Sequence, residues 1–290
     1  MKRLLVGAVI FGLACYGRPV ASSTAAAAAP QCSVAGDLRI LPFTSRIFKN
    51  TRMLRVWLPP QYDSPDHRAD RYPVLYLNDG QNLFDVCTSM FSAQEWRVDE
   101  TAGDLVARGV IRPLIIVGID NAGRQGRARE YLPYSDETLQ PRLDRVYGKY
   151  YPDFLVHEVM PFINAHFRVD PDPADTGLGG SSYGAGIALY TVMKERGRFG
   201  RLLLESPSLY AHHDFLLRVA ARCRRWPERI YLGVGTVNEP AGDVDKLEGI
   251  LRHNGVTGSR LDVVHQSGVA HNEAAWAQRF PAALQFLYGR

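Results

Sequence analysis

Apolar runs alternate with helical patterns along most of the chain. Runs typical of buried strands are RMLRVWLP (52–59), YPVLYLND (72–79), RPLIIVGID (112–120), 175–181, LLLE (202–205), RIYLGVG (229–235) and LDVVHQ (261–266). Helical patterns occupy 93–109, 149–167, 183–196, 213–224, 242–253 and 272–288. Strands that alternate with helices favour a mostly parallel central sheet with helices on both faces. The pattern therefore predicts a single α/β domain over residues 44–290.

The N-terminal residues carry a sorting signal. Lys2 and Arg3 precede the apolar stretch Leu4–Ala14, which has the length of a signal-peptide core and is too short to span a bilayer as a helix. We therefore interpret residues 1–29 as a signal peptide and leader, with the cleavage site left open. Export to the periplasm or secretion is expected, without a transmembrane span in the mature chain. The segment GLAC, which ends at Cys15, loosely resembles a lipoprotein box, so a lipid anchor there is the alternative.

Composition and charge narrow the class of protein. The sequence has 290 residues, 46% hydrophobic and 22% charged, which is ordinary for a soluble globular protein with a large core. Its net charge is +4, but the leader contains three basic residues and no acidic residue, so the remaining chain is close to neutral. No run of Lys or Arg indicates nucleic-acid binding. Residues 30–43 are interpreted as an N-terminal tail, because the stretch 16–36 is rich in Ala and Ser.

The cysteines limit the disulfides and argue against a metal site. An exported chain would retain Cys32, Cys87 and Cys223, an odd number that allows at most one internal disulfide. The sequence leaves the pairing open. None of the three has the spacing of a cysteine metal site, so no metal is expected.

A glycine-rich segment supplies a candidate nucleophile. Gly180-Ser181-Ser182-Tyr183-Gly184 fits G-x-S-x-G with Ser182 at its centre, where the strand 175–181 meets a helix. A nucleophile there sits on a tight, strained turn, and side chains two residues before and after it would collide with their neighbours. Ser181 does not fit, because Tyr183 stands where the pattern needs glycine. Ser182 is therefore the predicted nucleophile.

A serine hydroxyl needs a base, and the base needs an acid that orients it. In this architecture the acid and then the histidine follow the serine along the chain. The histidines that follow Ser182 are His212, His213, His253, His265 and His271. His271 lies in the loop GVAHNE before the last helix, where a base can reach over the strand ends. The acid is expected in GTVNEPAGDVD, which offers Glu239, Asp243 and Asp245; Glu239 is favoured because it lies earliest, beside a proline.

An oxyanion needs backbone donors that are already in place. The N–H of Tyr183, directly after the nucleophile, is one predicted donor. The second is the N–H of Gln81 in the loop NDGQNLF, and the neighbouring Asn82 is a candidate substrate contact.

Two further candidate substrate contacts, Arg127 and Tyr131, follow the strand 112–120 in a predicted loop. A structural pairing of Arg127 with Glu130 is the slightly favoured alternative.

In this order, YPVLYLNDGQNLF, GGSSYGA, LLLESPSLY, GVGTVNE and HNEAAWAQRFP resemble the esterase D-type family of α/β-hydrolases over roughly residues 44–288. That family includes feruloyl and other carbohydrate esterases, enterochelin-type siderophore esterases, S-formylglutathione hydrolases and mycolyltransferases. The resemblance implies the α/β-hydrolase fold, Ser182 as nucleophile, His271 as base, Glu239 as acid and an oxyanion hole that includes Gln81. It implies no metal or organic cofactor. Tyr183 departs from the methionine common in the family, which changes the pocket wall but keeps the backbone donor.

These features predict an exported serine carboxylic-ester hydrolase that works through an acyl-enzyme. The expected substrate is a small-molecule or carbohydrate-linked ester, either an acyl or feruloyl ester or a siderophore ester. Two alternatives remain: acyl transfer to an alcohol, as in mycolyltransferases, and a non-catalytic binding protein on the same fold.

Overall fold

Strands and helices alternate along the chain in the computed structural model, which describes residues 31–137, 143 and 145–290. The predicted leader 1–29 and the possible anchor at Cys15 lie outside the described residues. The strands are β1 Asp37–Thr44, β2 Thr51–Leu58, β3 Val74–Asn78, β4 Ile115–Ile119, β5 Thr176–Ser181, β6 Arg201–Glu205, β7 Arg229–Gly235 and β8 Leu261–Gln266. The α-helices are α1 Val98–Ala107, α2 Gly123–Tyr131, α3 Tyr151–Phe154, α4 Met160–His166, α5 Tyr183–Lys194, α6 Ala211–Ala220, α7 Ala241–His253 and α8 Glu273–Tyr288.

All the strands just named belong to one sheet with the order β1-β2-β4-β3-β5-β6-β7-β8. β1 pairs with β2, and β2 with β4, in antiparallel register. From β4 through β3 to β8, every neighbouring pair is parallel. The predicted mostly parallel sheet is therefore confirmed. Because the ends of parallel strands meet at one edge, the loops after β3, β5, β6, β7 and β8 are brought together there.

Helices cover both faces of this sheet, and the alternation of side chains along β3 shows how. Val74 and Tyr76 point into one apolar cluster, which is completed by residues of α5, α6 and α7. Leu75 and Leu77 point into the other, which is completed by residues of α1 and α8. This period of two places both faces of a central strand in a core, so the strand sequence is almost continuously apolar. Among the described residues, no helix is both long enough and apolar enough to cross a bilayer.

The N-terminal segment is part of the folded domain, which corrects the predicted tail 30–43. Residues 37–44 form β1, which pairs with β2 along its whole length at the edge of the sheet. Before it, the Ser33 hydroxyl donates to Glu95, and the Ala35 N–H donates to Asp99 at 2.6 Å. A disulfide joins Cys32 to Cys87, which resolves the open pairing and leaves Cys223 as a buried thiol.

The loop predicted after β4 is a second difference. It is the helix α2, Gly123–Tyr131. Its sequence GRQGRAREY has no apolar periodicity and contains two glycines, so no helical pattern could be recognised in it.

Candidate active site

The backbone turns sharply at Ser182, between β5 and α5. Ser182 has φ 56° and ψ −126°, a conformation that non-glycine residues rarely adopt. A Cβ on Gly180 would lie 2.9 Å from the carbonyl carbon of Gly184, and a Cβ on Gly184 would lie 2.8 Å from Asp79 Oδ2. Both flanking positions are therefore restricted to glycine, as the motif requires. The turn presents the Ser182 hydroxyl at the carboxyl edge of the sheet, 3.4 Å from the hydroxyl of Ser208.

His271 and Glu239 lie together at the same edge. Glu239 follows β7 and His271 follows β8, and His271 Nδ1 is 2.9 Å from Glu239 Oε2. The Glu239 carboxylate is fully buried, while 36% of the His271 side chain is exposed. The competing aspartates are directed elsewhere: Asp243 pairs with Lys246 at 2.8 Å, and Asp245 lies 3.2 Å from His265. The structure thus brings Glu239, and neither aspartate, to His271.

The surroundings of Glu239 keep its carboxylate ionised. Burial by itself raises the pKa of a carboxyl group. Hydrogen bonds from His271 and from Ser206, whose hydroxyl is 2.8 Å from Glu239 Oε1, act in the opposite direction, as does the positive charge of Arg279. These interactions outweigh burial, so the pKa of Glu239 is lowered. An ionised Glu239 accepts the Nδ1–H of His271, which leaves the other ring nitrogen free to take up a proton.

The two predicted oxyanion donors lie in a helical turn and at a helix start. Gln81 belongs to the single 3₁₀ turn Gly80–Asn82 that follows β3, and its side-chain oxygen accepts the Asn121 N–H at 3.1 Å. A Cβ on Gly80 would lie 2.6 Å from the backbone of Gly118, so glycine permits the loop to approach β4 this closely. Tyr183 is the first residue of α5, where N–H groups have no partner within the helix.

Arg127 has a structural partner, but a different one from that predicted. Its guanidinium makes two 2.7 Å hydrogen bonds to the carboxylate of Asp79, which lies in the predicted oxyanion loop NDGQNLF. Asn121 donates to the same carboxylate at 2.6 Å. Glu130 instead binds Arg52 at 2.6 Å, so the predicted Arg127–Glu130 pair is wrong. The Arg127–Asp79 pair could not be foreseen from local sequence, because 48 positions separate the two residues.

A cavity of about 320 Å³ opens over Ser182 and His271. Its wall includes Asn82 and Arg127, two of the predicted substrate contacts. The remaining lining residues are Asp79, Phe91, Ser92, Ser181, Asn272, Glu273 and Trp276. Tyr131, the third predicted contact, is only 1% exposed, and its hydroxyl accepts the Asp79 N–H at 3.2 Å. It therefore supports the loop from behind and does not line this cavity.

One large cavity and one cluster of titratable side chains lie away from this site. A cavity of about 800 Å³ between α1 and α8 contains none of the predicted site residues. The side chains of Asp245, Glu248 and His265 are close enough to share a metal ion at the surface. Glu248 is, however, already paired with Arg252 at 2.7 Å.

Sequence reasoning missed Asp79 and Ser206. Asp79 lies within the predicted oxyanion loop NDGQNLF, two residues before Gln81, and this proximity was the available signal. Ser206 follows β6 in the turn SPS, which has the composition of an ordinary turn.

Comparison with known proteins identifies the class. Residues 45–287 match the model of the family described as "Putative esterase", and the chain belongs to this family. The protein YbbA of Bacillus subtilis (strain 168) is 21% identical over 252 residues, which is 82% of this chain and 93% of YbbA. The resemblance to esterases of this kind is thereby confirmed.

Solved structures show the same α/β-hydrolase fold. The enterobactin esterase of Shigella flexneri, solved in the presence of enterobactin, superposes with a TM-score of 0.68 at 21% identity. That alignment covers 88% of this chain and 60% of the esterase, so this chain spans less than two thirds of that relative. A ferulic acid esterase superposes with a TM-score of 0.64 at 17% identity, covering 87% of this chain and 98% of the other. The predicted fold class is confirmed.

Proposed function

We propose that this protein is a serine carboxylic-ester hydrolase with Ser182 as nucleophile, His271 as general base and Glu239 as the acid that orients it. The observation that carries the proposal is the strained turn at Ser182, which shares a cavity with a histidine held 2.9 Å from a buried carboxylate. This is the arrangement that serine acyl transfer needs.

The chemistry follows from the donors and acceptors. His271 accepts the Ser182 proton as the hydroxyl attacks the ester carbonyl, and Glu239 stabilises the imidazolium that forms. The amides of Tyr183 and Gln81 bind the developing oxyanion. The protonated imidazole then gives its proton to the leaving alcohol, an acyl-enzyme remains, and water attacks it by the same route. This series of reaction steps requires no metal or organic cofactor.

The substrate we propose is a small-molecule or carbohydrate-linked ester, either an acyl or feruloyl ester or a siderophore ester. A cavity of about 320 Å³ is suited to one such group, and its Phe91 and Trp276 offer aromatic faces. The ferulic acid and enterobactin named for the structural relatives are consistent with this class. Export of the protein is supported by the Cys32–Cys87 disulfide, because such bonds persist in oxidising compartments.

Labelling with a fluorophosphonate tests the proposal without knowledge of the substrate. The wild type should be labelled at Ser182, and Ser182→Ala should lose both labelling and hydrolysis of p-nitrophenyl esters by a factor on the order of 10⁴–10⁶. Ser181→Ala is the matched control and should retain most of both. Labelling at Ser181, or an active Ser182→Ala variant, would show that the assignment is wrong. Methyl ferulate and a trilactone siderophore then separate the two substrate classes.

A further inference from the structure

Ser206 lies at the meeting point of the elements that carry the proposed triad. It directly follows β6, and its side chain is 1% exposed. Its hydroxyl oxygen is 2.8 Å from Glu239 Oε1 and 3.1 Å from the indole Nε1 of Trp276. Arg279 Nη2 is 3.5 Å away. A buried hydroxyl therefore connects the loop after β7 with helix α8.

The direction of each of these hydrogen bonds is fixed by chemistry. Indole and guanidinium groups are donors only, so Trp276 and Arg279 must direct their hydrogens toward the Ser206 oxygen. The single proton of the Ser206 hydroxyl is then left for Glu239, whose carboxylate can only accept. Because Ser206 engages Oε1, the other oxygen of the carboxylate, Oε2, is presented to His271 at 2.9 Å.

The position of Ser206 is itself held firmly. Its backbone has φ 44°, in the left-handed region, and its N–H donates to the Gly233 carbonyl at 2.7 Å. The preceding residue, Glu205, is fully buried and binds Arg279 at 2.6 Å. Trp276 packs edge-on against the His271 ring, with 5.1 Å between the centroids. The Ser206 hydroxyl and the His271 ring are therefore both held in place by buried contacts before substrate arrives.

We propose that Ser206 is a positioning residue, whose hydroxyl is oriented by the indole N–H of Trp276 and holds the Glu239 carboxylate so that Oε2 faces His271. Ser206 is buried, and its hydroxyl is bonded to Glu239 and not directed into the cavity over Ser182, so we expect it to act through Glu239. The Ser206 hydrogen bond is also one of the interactions that lower the pKa of Glu239. The inference rests on the triad proposed above.

The test compares Ser206→Ala with Ser45→Ala. Ser45 is also 1% exposed, donates its hydroxyl to Glu158 at 2.6 Å and accepts the Phe48 N–H at 2.9 Å, so its variant loses a similar buried serine–glutamate bond. Ser45 follows β1, at the opposite side of the sheet from β7 and β8. A hydrogen bond to a charged group corresponds to roughly a 10- to 100-fold effect on rate if it is lost in the transition state.

With p-nitrophenyl butyrate, we expect Ser206→Ala to lower kcat by roughly 10- to 100-fold with little change in KM. The fluorophosphonate labelling rate should fall in parallel. Ser45→Ala should keep both rates. The proton resonance of His271 Nδ1–H, shifted downfield by its carboxylate partner, should broaden or vanish in Ser206→Ala and persist in Ser45→Ala. Trp276→Phe, which keeps an aromatic ring but loses the indole N–H, should weaken the same His271 resonance. Because Trp276 also lines the cavity, this resonance, and not kcat, is its deciding measurement if Ser206→Ala does not fold.

A folded Ser206→Ala enzyme with wild-type kcat and an intact His271 resonance would overturn the inference. So would equal losses in Ser206→Ala and Ser45→Ala, because they would reflect general destabilisation. Failure of the proposed function looks different: Ser182→Ala would then remain active or labelled, whatever Ser206→Ala does.

Discussion

Replacing Arg127 by methionine should damage both the stability and the turnover of the enzyme. Asp79 is 4% exposed and Arg127 12%, and two 2.7 Å hydrogen bonds join them. Removing one partner of a buried ion pair typically costs about 3–5 kcal/mol, because a charge is left buried. Asn121 still donates to Asp79 at 2.6 Å, so we expect the lower end of this range, about 3 kcal/mol. For a domain of this size, that corresponds to a fall of roughly 6–12 °C in Tm.

Turnover should fall because the same pair holds the proposed oxyanion loop. Asp79 lies two residues before Gln81, and loss of one oxyanion donor costs roughly 10²–10³ in kcat. A loosened donor should therefore cost roughly tenfold or more, with KM affected less.

Thermal unfolding and steady-state hydrolysis of p-nitrophenyl butyrate measure the two effects of Arg127→Met. Arg112→Met is the matched control, because Arg112 also pairs with an aspartate, Asp175. The Arg112 side chain is 42% exposed, and it lies before β4, at the amino ends of the parallel strands and away from the active site. It should cost at most about 1 kcal/mol and leave kcat unchanged. If Arg127→Met keeps its Tm and kcat while KM rises, Arg127 contacts substrate and does not hold the oxyanion loop, which would refute this prediction.

Further predictions concern the acid and the disulfide. Glu239→Gln should lower kcat by roughly 10²–10⁴ without unfolding the protein. Asp243 pairs with Lys246, so Asp243→Asn should stay close to wild type in kcat. Equal losses of kcat in the two variants would contradict the assignment of Glu239 as the acid. The lowered pKa of Glu239 means that its ionised form stabilises the fold above its unfolded pKa and that this contribution is lost as the pH falls through the folded pKa. The unfolding free energies of wild type and Glu239→Gln, measured with urea, should therefore converge as the pH falls below about 4.5, the ordinary pKa of a glutamate. A difference that stays constant with pH would show that an ionised Glu239 does not stabilise the fold. Cys32→Ser opens a disulfide between residues 55 positions apart and should cost up to about 4 kcal/mol in the same urea titration, while an unchanged midpoint would show that the bond does not restrain the unfolded chain.

The central elements could be predicted because their apolar pattern repeats the geometry of the sheet. The strand predicted at 229–235 coincides with β7, and the helix predicted at 242–253 begins within one residue of α7. β1 was missed because an edge strand is half exposed, and DLRILPFT contains a proline that only an edge position readily accepts. The helix α2 was missed because its stability comes from tertiary contacts, such as the Arg127–Asp79 pair, and its own sequence gives no helical signal.

The sequence by itself determined the features that depend on covalent neighbours. The Ser182 turn needs glycines two residues to either side, and that requirement is written within five consecutive residues. Which carboxylate reaches His271 was decided only when β7 and β8 paired and brought Glu239 beside it. The partners of Arg127 and Ser206 were likewise decided by the sheet, because strand order determines which loops meet at its carboxyl edge. Residues 48 and 33 positions apart then become hydrogen-bonded, and no local sequence pattern predicts such long-range contacts.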